Sequence, residues 1–240
     1  LSYSSRPPDP SLVGTRWREM WLDRLNNIPF YGAKWMKHPN RDEYWKHGSL
    51  CEDYDSLNVP TLCFGGWADN YMNTVSNLIE NAKSCTVKGI VGPWVHQYPH
   101  TADPSPQIGF LQEALRWWDK WLKGVDNGSE LLPDFRLYLM DSISPARSFS
   151  ERPGRWISED LNEESSNFDD VKYWLGNGSL VEVEDSIEVI EISSPEICGL
   201  SSGEFFPFNF GPELPDNQLS DDEMSVCFDS SVFFETLELV

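Results

Sequence analysis

Two residues in the first half of the chain, Asp69 and His96, have the types and the surroundings that proton-transfer chemistry requires. Asp69 follows the apolar run 60–66, and His96 follows the run 86–92. Both runs end in glycine and are typical of buried parallel strands, whose carboxyl ends gather functional groups at one edge of a sheet. A carboxylate there can hold an imidazole in one tautomer and stabilise its protonated form. The spacing therefore predicts an acid–base pair.

Each of these residues also has a simpler interpretation. Asp69 could cap the helix that follows it, because Asp is a favoured N-cap residue. His96 and His100 have the i, i+4 spacing of a metal pair, but Pro99 breaks the helix that such a pair needs, and no carboxylate supports it. We expect no metal and no cofactor. Trp67 and Trp94 stand beside the pair as candidates for a substrate pocket, with plain packing as the alternative.

The elements around these residues alternate between strand and helix signals. Helical spacing is present over 17–25 and 72–79, on either side of the strand predicted at 60–66. A long helix is predicted to start at Ser105-Pro106 and to stop at Gly124, with an apolar face formed by Ile108, Leu111, Leu115, Trp118 and Leu122. Strand–helix–strand–helix order predicts a doubly wound α/β sheet.

The second half of the chain has a different composition. Short β-rich runs at 135–140, 179–183 and 186–192 are separated by turn residues, which predicts an all-β antiparallel sandwich or a jelly roll. From Trp156 onward there are one basic and 21 acidic residues, which carry almost all of the net charge of −21. Because this half is strongly acidic, its charge argues against nucleic acid and against anionic membrane surfaces as partners.

Composition narrows the class of protein further. Hydrophobic residues make up 40% of the chain, enough for a substantial core, and no apolar run approaches the roughly 20 residues of a membrane span. The five cysteines are scattered and form no C-x-x-C pair, which disfavours a disulfide framework or a zinc site. A reducing compartment such as the cytoplasm is slightly favoured, and the oligomeric state is left open.

Several segments, in order, resemble the cocaine esterase and Xaa-Pro dipeptidyl-peptidase hydrolases (CocE/NonD family). They are Gly65-Gly66-Trp67-Ala68-Asp69-Asn70-Tyr71, Gly92-Pro93-Trp94-Val95-His96, the stretch 17–25 with 42–45, the Trp-rich run 110–124, and the acidic segment 215–229. The resemblance implies the carboxyl-terminal portion of an α/β hydrolase followed by a jelly roll. It implies the end of a helical cap at 1–50, the hydrolase portion at 51–128 and the β-sandwich at 129–240.

The same resemblance implies a serine hydrolase that acts on an ester, amide or peptide bond of a small substrate. Asp69 would be the catalytic acid and His96 the catalytic base, in the order Ser, Asp, His of α/β hydrolases. The nucleophilic serine is not found before Asp69. The motif Gly199-Leu200-Ser201-Ser202-Gly203 fits G-x-S-x-G, but it follows His96 and leads into an aromatic, Pro-containing run that cannot be the required helix.

We therefore expect the chain to be cut at both ends, with the serine upstream, and to be inactive alone. The alternative function is non-catalytic: a jelly-roll binding module or an inactive truncated homologue. Specific binding by the half that begins at Trp156, without acyl hydrolysis by the whole protein, would favour that alternative.

Overall fold

The computed structural model describes residues 5–160, 171–184 and 189–239. These residues form two compact units, residues 1–53 and 54–240. Among the described residues, no helix has the length and apolar character needed to cross a bilayer.

The first unit is helical. Its helices are α1 (Pro10–Val13), α2 (Trp17–Asn27), α3 (Tyr31–Trp35) and α4 (Glu43–Lys46), with 3₁₀ turns at Gly14–Arg16 and Leu50–Glu52. Side chains cap two of these short helices: Asp9 accepts from the Ser11 amide, and Asp42 accepts from the Tyr44 amide. The helix predicted at 17–25 is confirmed by α2.

The second unit is built on a four-stranded sheet in the order β1-β2-β3-β4. The strands are β1 (Thr61–Gly66), β2 (Val87–Gly92), β3 (Phe135–Met140) and β4 (Gly154–Glu159). β1, β2 and β3 run parallel, and β4 is antiparallel to β3. The parallel core agrees with the predicted α/β architecture. Every residue of β2 is buried, as expected of a central strand in a parallel sheet.

Two helices connect the strands. Helix α5 (Met72–Asn81) joins β1 to β2 and buries Val75 and Ile79 against the sheet. Helix α6 (Phe110–Lys123) joins β2 to β3 and ends at Gly124, whose φ of 71° provides the left-handed stop. The predicted end of α6 is confirmed, but its start lies at Phe110 and not at Ser105-Pro106. The intervening loop is held by tertiary hydrogen bonds, including Ile108 N–H to Pro99 O at 3.1 Å.

The side of α6 that packs inward differs from the predicted apolar face. Ala114 and Trp117 are buried. Four of the five residues of the predicted face, Leu111, Leu115, Trp118 and Leu122, are 54–78% exposed. The fifth, Ile108, lies before the helix and packs, partly buried, against the cluster that contains Ile90 and Trp94.

Two ion pairs stabilise the sheet and its contact with α6. Lys88 on β2 donates to Asp134 at 2.8 Å with both side chains nearly buried. Arg136 on β3 binds Glu113 of α6 through two parallel bonds of 3.0 Å. Bidentate pairs of this kind fix geometry as well as charge.

The acidic half is mostly irregular where it is described. Beyond β4 the described residues form the two-residue strands β5 (Trp174–Leu175) and β6 (Leu180–Val181), a 3₁₀ turn at Leu200–Ser202, and the short helix α7 (Leu219–Asp222). A further 3₁₀ turn, Ser129–Leu131, precedes β3. The part of this half that the structure describes does not show the predicted jelly roll.

Of the β-rich runs predicted for that domain, 135–140 is a strand, but as β3 it pairs with β2. The run 179–183 contains only β6, residues 185–188 lie outside the described part, and 189–192 form no strand. The sheet thus continues past the predicted boundary at residue 128, and the division into domains stays a prediction.

Candidate active site

The ends of β1 and β2 approach each other closely, and this approach positions the site. Past the last paired residues, Gly66 and Gly92, the Trp67 amide donates to Gly92 O at 2.9 Å, and the Ala68 amide donates to Trp94 O at 3.1 Å. A Cβ on Gly66 would lie 2.1 Å from Trp94 O, so only glycine fits there. The two loops that follow therefore leave the sheet side by side.

These loops bring together the two residues that the sequence singled out. His96 Nδ1 lies 2.8 Å from Asp69 Oδ2. The Asp69 side chain is 12% exposed and that of His96 is 38% exposed, so the carboxylate is mostly shielded and the ring is partly open. The other carboxylate oxygen, Oδ1, accepts from the Tyr71 amide at 3.0 Å. Asp69 is thus held from two sides.

The capping alternative for Asp69 has some basis in the same contacts. The Asp69 carboxylate accepts a backbone N–H two residues later, just before α5 begins at Met72. This bond uses Oδ1 and leaves Oδ2 for His96, so the one side chain does both. Hydrogen bonding of Nδ1 to a carboxylate favours the tautomer with its proton on Nδ1, which leaves Nε2 as the basic nitrogen. No described residue hydrogen-bonds to His96 Nε2.

An aromatic segment from the acidic half covers the His96 ring. Phe206 lies 4.4 Å and Phe208 5.1 Å from it, centroid to centroid, and Tyr71 lies 5.8 Å away. The backbone secures this segment: the His96 amide donates to Pro207 O at 3.0 Å, and Gln97 Nε2 donates to Phe208 O at 2.9 Å. Residues 206–208 thus belong to the surroundings of His96.

A cavity of about 580 Å³ adjoins the pair. Asp69 and His96 both line it, together with Trp94, Phe110 and Phe208. Its size and its mainly apolar lining with a few polar groups are typical of small-molecule sites. Trp94 is only 1% exposed, and its Nε1 donates to Pro106 O at 2.9 Å, so it contributes a fixed wall and no free donor.

Trp67, the other pocket candidate, has a different position. Its Nε1 donates to Tyr138 O at 2.8 Å, and its ring packs against the core around Val75 and Leu137. It does not line the cavity beside His96 but two smaller ones on β3 and the segment after it. These contacts place the Trp67 ring outside the cavity that His96 lines, and its role as a pocket residue stays a prediction.

Ser201 does not stand on a strand–turn–helix elbow. It lies in the 3₁₀ turn Leu200–Ser202, with no strand in the described residues just before it and no helix until Leu219. Its amide donates to Asp221 Oδ2 at 3.1 Å, and the Gly199 amide donates to Asp221 Oδ1 at 3.0 Å. The buried Asp221 carboxylate thus gives the G-x-S-x-G sequence a structural reason of its own.

Other features of the site bear on cofactors. The described residues contain no group of three or more His, Cys, Asp or Glu side chains placed to hold a metal ion. His100 is exposed and its ring stacks on that of Phe110, with the ring centroids 5.6 Å apart.

Sequence reasoning missed Tyr71, Phe206 and Phe208. Tyr71 is two residues from Asp69 and could have been noticed. Phe206 and Phe208 lie more than 100 residues from His96, and the only available signal was the clustering of aromatic residues at 205–210.

Comparison with known proteins connects the chain to hydrolases. Residues 1–98 match the family model of X-Pro dipeptidyl-peptidase (S15 family). Cocaine esterase of Rhodococcus sp. (strain MB1 Bresler) is 27% identical over 129 residues, which is 50% of this chain and 22% of that protein. The chain therefore spans less than a quarter of this relative's length.

Two crystal structures of a CocE/NonD family hydrolase from Staphylococcus aureus are also similar. One has a TM-score of 0.46 at 15% identity and covers 77% of this chain and 31% of that one. The other has a TM-score of 0.47 at 16% identity, with 75% and 31% covered. The family-model match spans the segment that carries Asp69 and His96, and this match together with the cocaine esterase similarity shows that the chain is similar to hydrolases.

Proposed function

We propose that this chain supplies the acid and the base of a serine hydrolase that cleaves an ester or amide bond. The observation that carries the proposal is the 2.8 Å contact between Asp69 Oδ2 and His96 Nδ1 at the wall of a 580 Å³ cavity. Shielding of the carboxylate strengthens its hold on the imidazole, because the local dielectric is lower than that of water.

In the proposed reaction, His96 Nε2 removes the proton of a serine hydroxyl as the serine oxygen attacks the substrate carbonyl. Asp69 stabilises the imidazolium that forms and keeps the ring oriented. His96 then donates the proton to the leaving alcohol or amine, and an acyl-enzyme remains. A water molecule, deprotonated by the same nitrogen, releases the acid and restores the serine.

The serine of this proposal lies upstream of residue 1, in a part of the protein outside this chain. Ser201 is a poor candidate, because its turn lacks the exposed elbow geometry that places a nucleophile. We accordingly propose that the 240-residue chain alone does not turn over substrate. The assignment of residues 51–128 to an α/β-hydrolase domain and of 129–240 to a jelly roll belongs to the same proposal.

The relatives bear on the class of substrate. The similar protein is named a cocaine esterase and the matched family is named for X-Pro dipeptidyl-peptidase, and hydrolysis of an ester or of a peptide bond can each proceed through an acyl-enzyme. The partly apolar cavity with Phe110 and Phe208 suits a small acyl ester, amide or peptide. We propose that class and no narrower one.

The test uses the protein encoded by the whole reading frame that contains this chain, with p-nitrophenyl acetate as a general ester probe. His96→Ala should lower kcat by at least about a thousandfold, as loss of a triad base does. A matched control is available in His38, which also contacts a carboxylate, Asp42, at 2.6 Å but in the helical first unit. His38→Ala should retain activity within about twofold. Equal losses in the two variants, or none in His96→Ala, would refute the proposal.

A further inference from the structure

A second cavity lies apart from the one that His96 lines. It has a volume of about 280 Å³ and is formed by the end of β3 and the loop after it, the residues just past β1 and β2, Pro104, and the segment 214–218. Eleven of its fourteen lining residues are apolar, among them Trp67, Ile143, Phe149 and four prolines. The three polar ones are Arg152, Asp216 and Gln218. This composition resembles a site for a ligand with an apolar body and one charged group.

Arg152 is the charged group that is not accounted for by the fold. A guanidinium has five N–H donors, and the described contacts of this one comprise a single side-chain bond, from Nη2 to the backbone oxygen of Asp141 at 3.1 Å. Its Nε is buried and has no hydrogen-bond partner. No carboxylate in the described part of the chain forms an ion pair with it, although other arginines such as Arg136 and Arg155 have one.

The environment makes this lack costly. Burial lowers the pKa of the Arg152 guanidinium, because a charge removed from water is destabilised when nothing of opposite sign compensates it. The Cζ atom of the guanidinium lies 4.8 Å from the centroid of the Phe149 ring, and this cation–π contact helps to hold the group in place. The backbone is fixed too, since the Arg152 amide donates to Ser105 O and its carbonyl accepts from the Tyr138 hydroxyl, both at 2.9 Å.

An unpaired, oriented arginine at an apolar cavity is a receptor for a carboxylate. The guanidinium fork matches the two oxygens of a carboxylate, and such charge-assisted bonds are about twice as strong as neutral ones. Asp216 is exposed and its Oδ1 already accepts from the Asn217 amide, so solvent screens its repulsion of an anion. The apolar lining would receive the rest of the ligand.

We propose that this cavity binds a small monocarboxylate with an apolar aryl or alkyl body, with its carboxylate on Arg152. The site is distinct from the Asp69–His96 pair and does not depend on the function proposed for that pair. Its ligand would contact Trp67 and Ala68, the two residues that lead directly into Asp69. A ligand bound in this cavity would therefore lie beside the loop that carries the proposed acid, Asp69.

The test is isothermal titration calorimetry of the whole protein that contains this chain with 3-phenylpropionate, repeated with the uncharged 3-phenylpropionamide. We expect saturable binding of the acid and binding of the amide weaker by roughly tenfold to a hundredfold, the worth of one charge-assisted hydrogen bond. Arg152→Met should weaken binding of the acid by a similar factor. Ala146→Phe, which fills the cavity but keeps the charge, should abolish it.

Arg155→Met is the matched control. It removes an equal charge three residues away, where the arginine pairs with Glu238, and it should leave binding of the acid unchanged. Far-ultraviolet circular dichroism of each variant separates loss of the site from loss of the fold. Absence of saturable binding by the folded protein, equal binding of acid and amide, or unchanged binding in Arg152→Met or Ala146→Phe would each overturn the proposal.

Discussion

Replacement of Gly66 by alanine tests whether the close approach of β1 and the loop after β2 sets the geometry of the candidate site. A Cβ at this position would lie 2.1 Å from Trp94 O and 2.8 Å from Trp94 C, whereas real Cβ contacts essentially never fall below 3.0 Å. The obstacle is backbone, so no side-chain rotation can relieve it. The loop must move by nearly an ångström.

The magnitude follows from what this movement disturbs. Overpacking in a core costs roughly 1–3 kcal/mol. Displacement of the loop also strains the hydrogen bonds from Trp67 N–H to Gly92 O and from Ala68 N–H to Trp94 O, each worth about 1 kcal/mol. We expect Gly66→Ala to lower the free energy of unfolding by about 3 kcal/mol.

The assay is urea denaturation followed by tryptophan fluorescence, with two other glycines for comparison. A Cβ at Gly65 would meet only a side-chain atom, Val75 Cγ2, at 2.9 Å, and one at Gly109 would meet the flexible end of Gln112 at 3.0 Å. The loss should therefore decrease in the order Gly66, Gly65, Gly109, with Gly109→Ala within about 0.5 kcal/mol of wild type. Gly66→Ala as stable as Gly109→Ala would refute the reasoning.

Three further predictions concern other parts of the second unit. Asp134→Ala should lower the free energy of unfolding by roughly 3 kcal/mol in the same urea assay, because it leaves the buried Lys88 ammonium without its carboxylate; a loss below about 1 kcal/mol would contradict this. Burial raises the pKa of the Cys63 thiol to about 11, so at pH 8 it is protonated and should react with iodoacetamide more slowly than the exposed Cys51, as peptide mapping after timed labelling would show. Its rate should rise about tenfold per pH unit below that pKa, and equal rates for the two thiols would count against the burial. Ser201→Ala should leave ester hydrolysis by the whole protein unchanged within about twofold, since its turn serves Asp221, and a loss comparable to that of His96→Ala would identify Ser201 as the nucleophile.

Local patterns were sufficient to predict the elements that carry the candidate site. The short runs at 60–66 and 86–92, each rich in apolar residues and ending in glycine, predicted β1 and β2 to within one residue. Once two adjacent parallel strands are placed, the residues just beyond their carboxyl ends must be neighbours. The proximity of Asp69 and His96 was therefore predictable before any contact was known.

Where the predictions differ from the structure, tertiary contacts outweighed the local signal. Ser105-Pro106 is a common helix start, yet Trp94 Nε1 donates to Pro106 O, and the Ser105 amide donates to Ser150 O at 2.9 Å, which holds the chain in a loop until Phe110. The strand at 135–140 was recognised as a strand, but its alternation does not say which sheet it joins. Its pairing with β2 depends on register across 46 residues, as between Gly89 and Phe135.

The surroundings of His96 were beyond prediction for a related reason. Phe206 and Phe208 reach the ring from the acidic half through backbone hydrogen bonds at Pro207 and Phe208, and such bonds have no sequence signature. The unpaired state of Arg152 is equally invisible in sequence, where any of the 39 acidic residues could have been its partner.

The central claim is that Asp69 and His96 act as one unit in acyl hydrolysis, and a double-mutant cycle on the whole protein tests it most directly. The measured quantity is kcat/KM for p-nitrophenyl acetate in wild type, Asp69→Asn, His96→Ala and the double variant. We predict that Asp69→Asn costs at least about a thousandfold when His96 is present and less than about threefold when it is already alanine, because the carboxylate acts through the imidazole. Independent losses that multiply in the double variant, or full activity in either single variant, would contradict the claim.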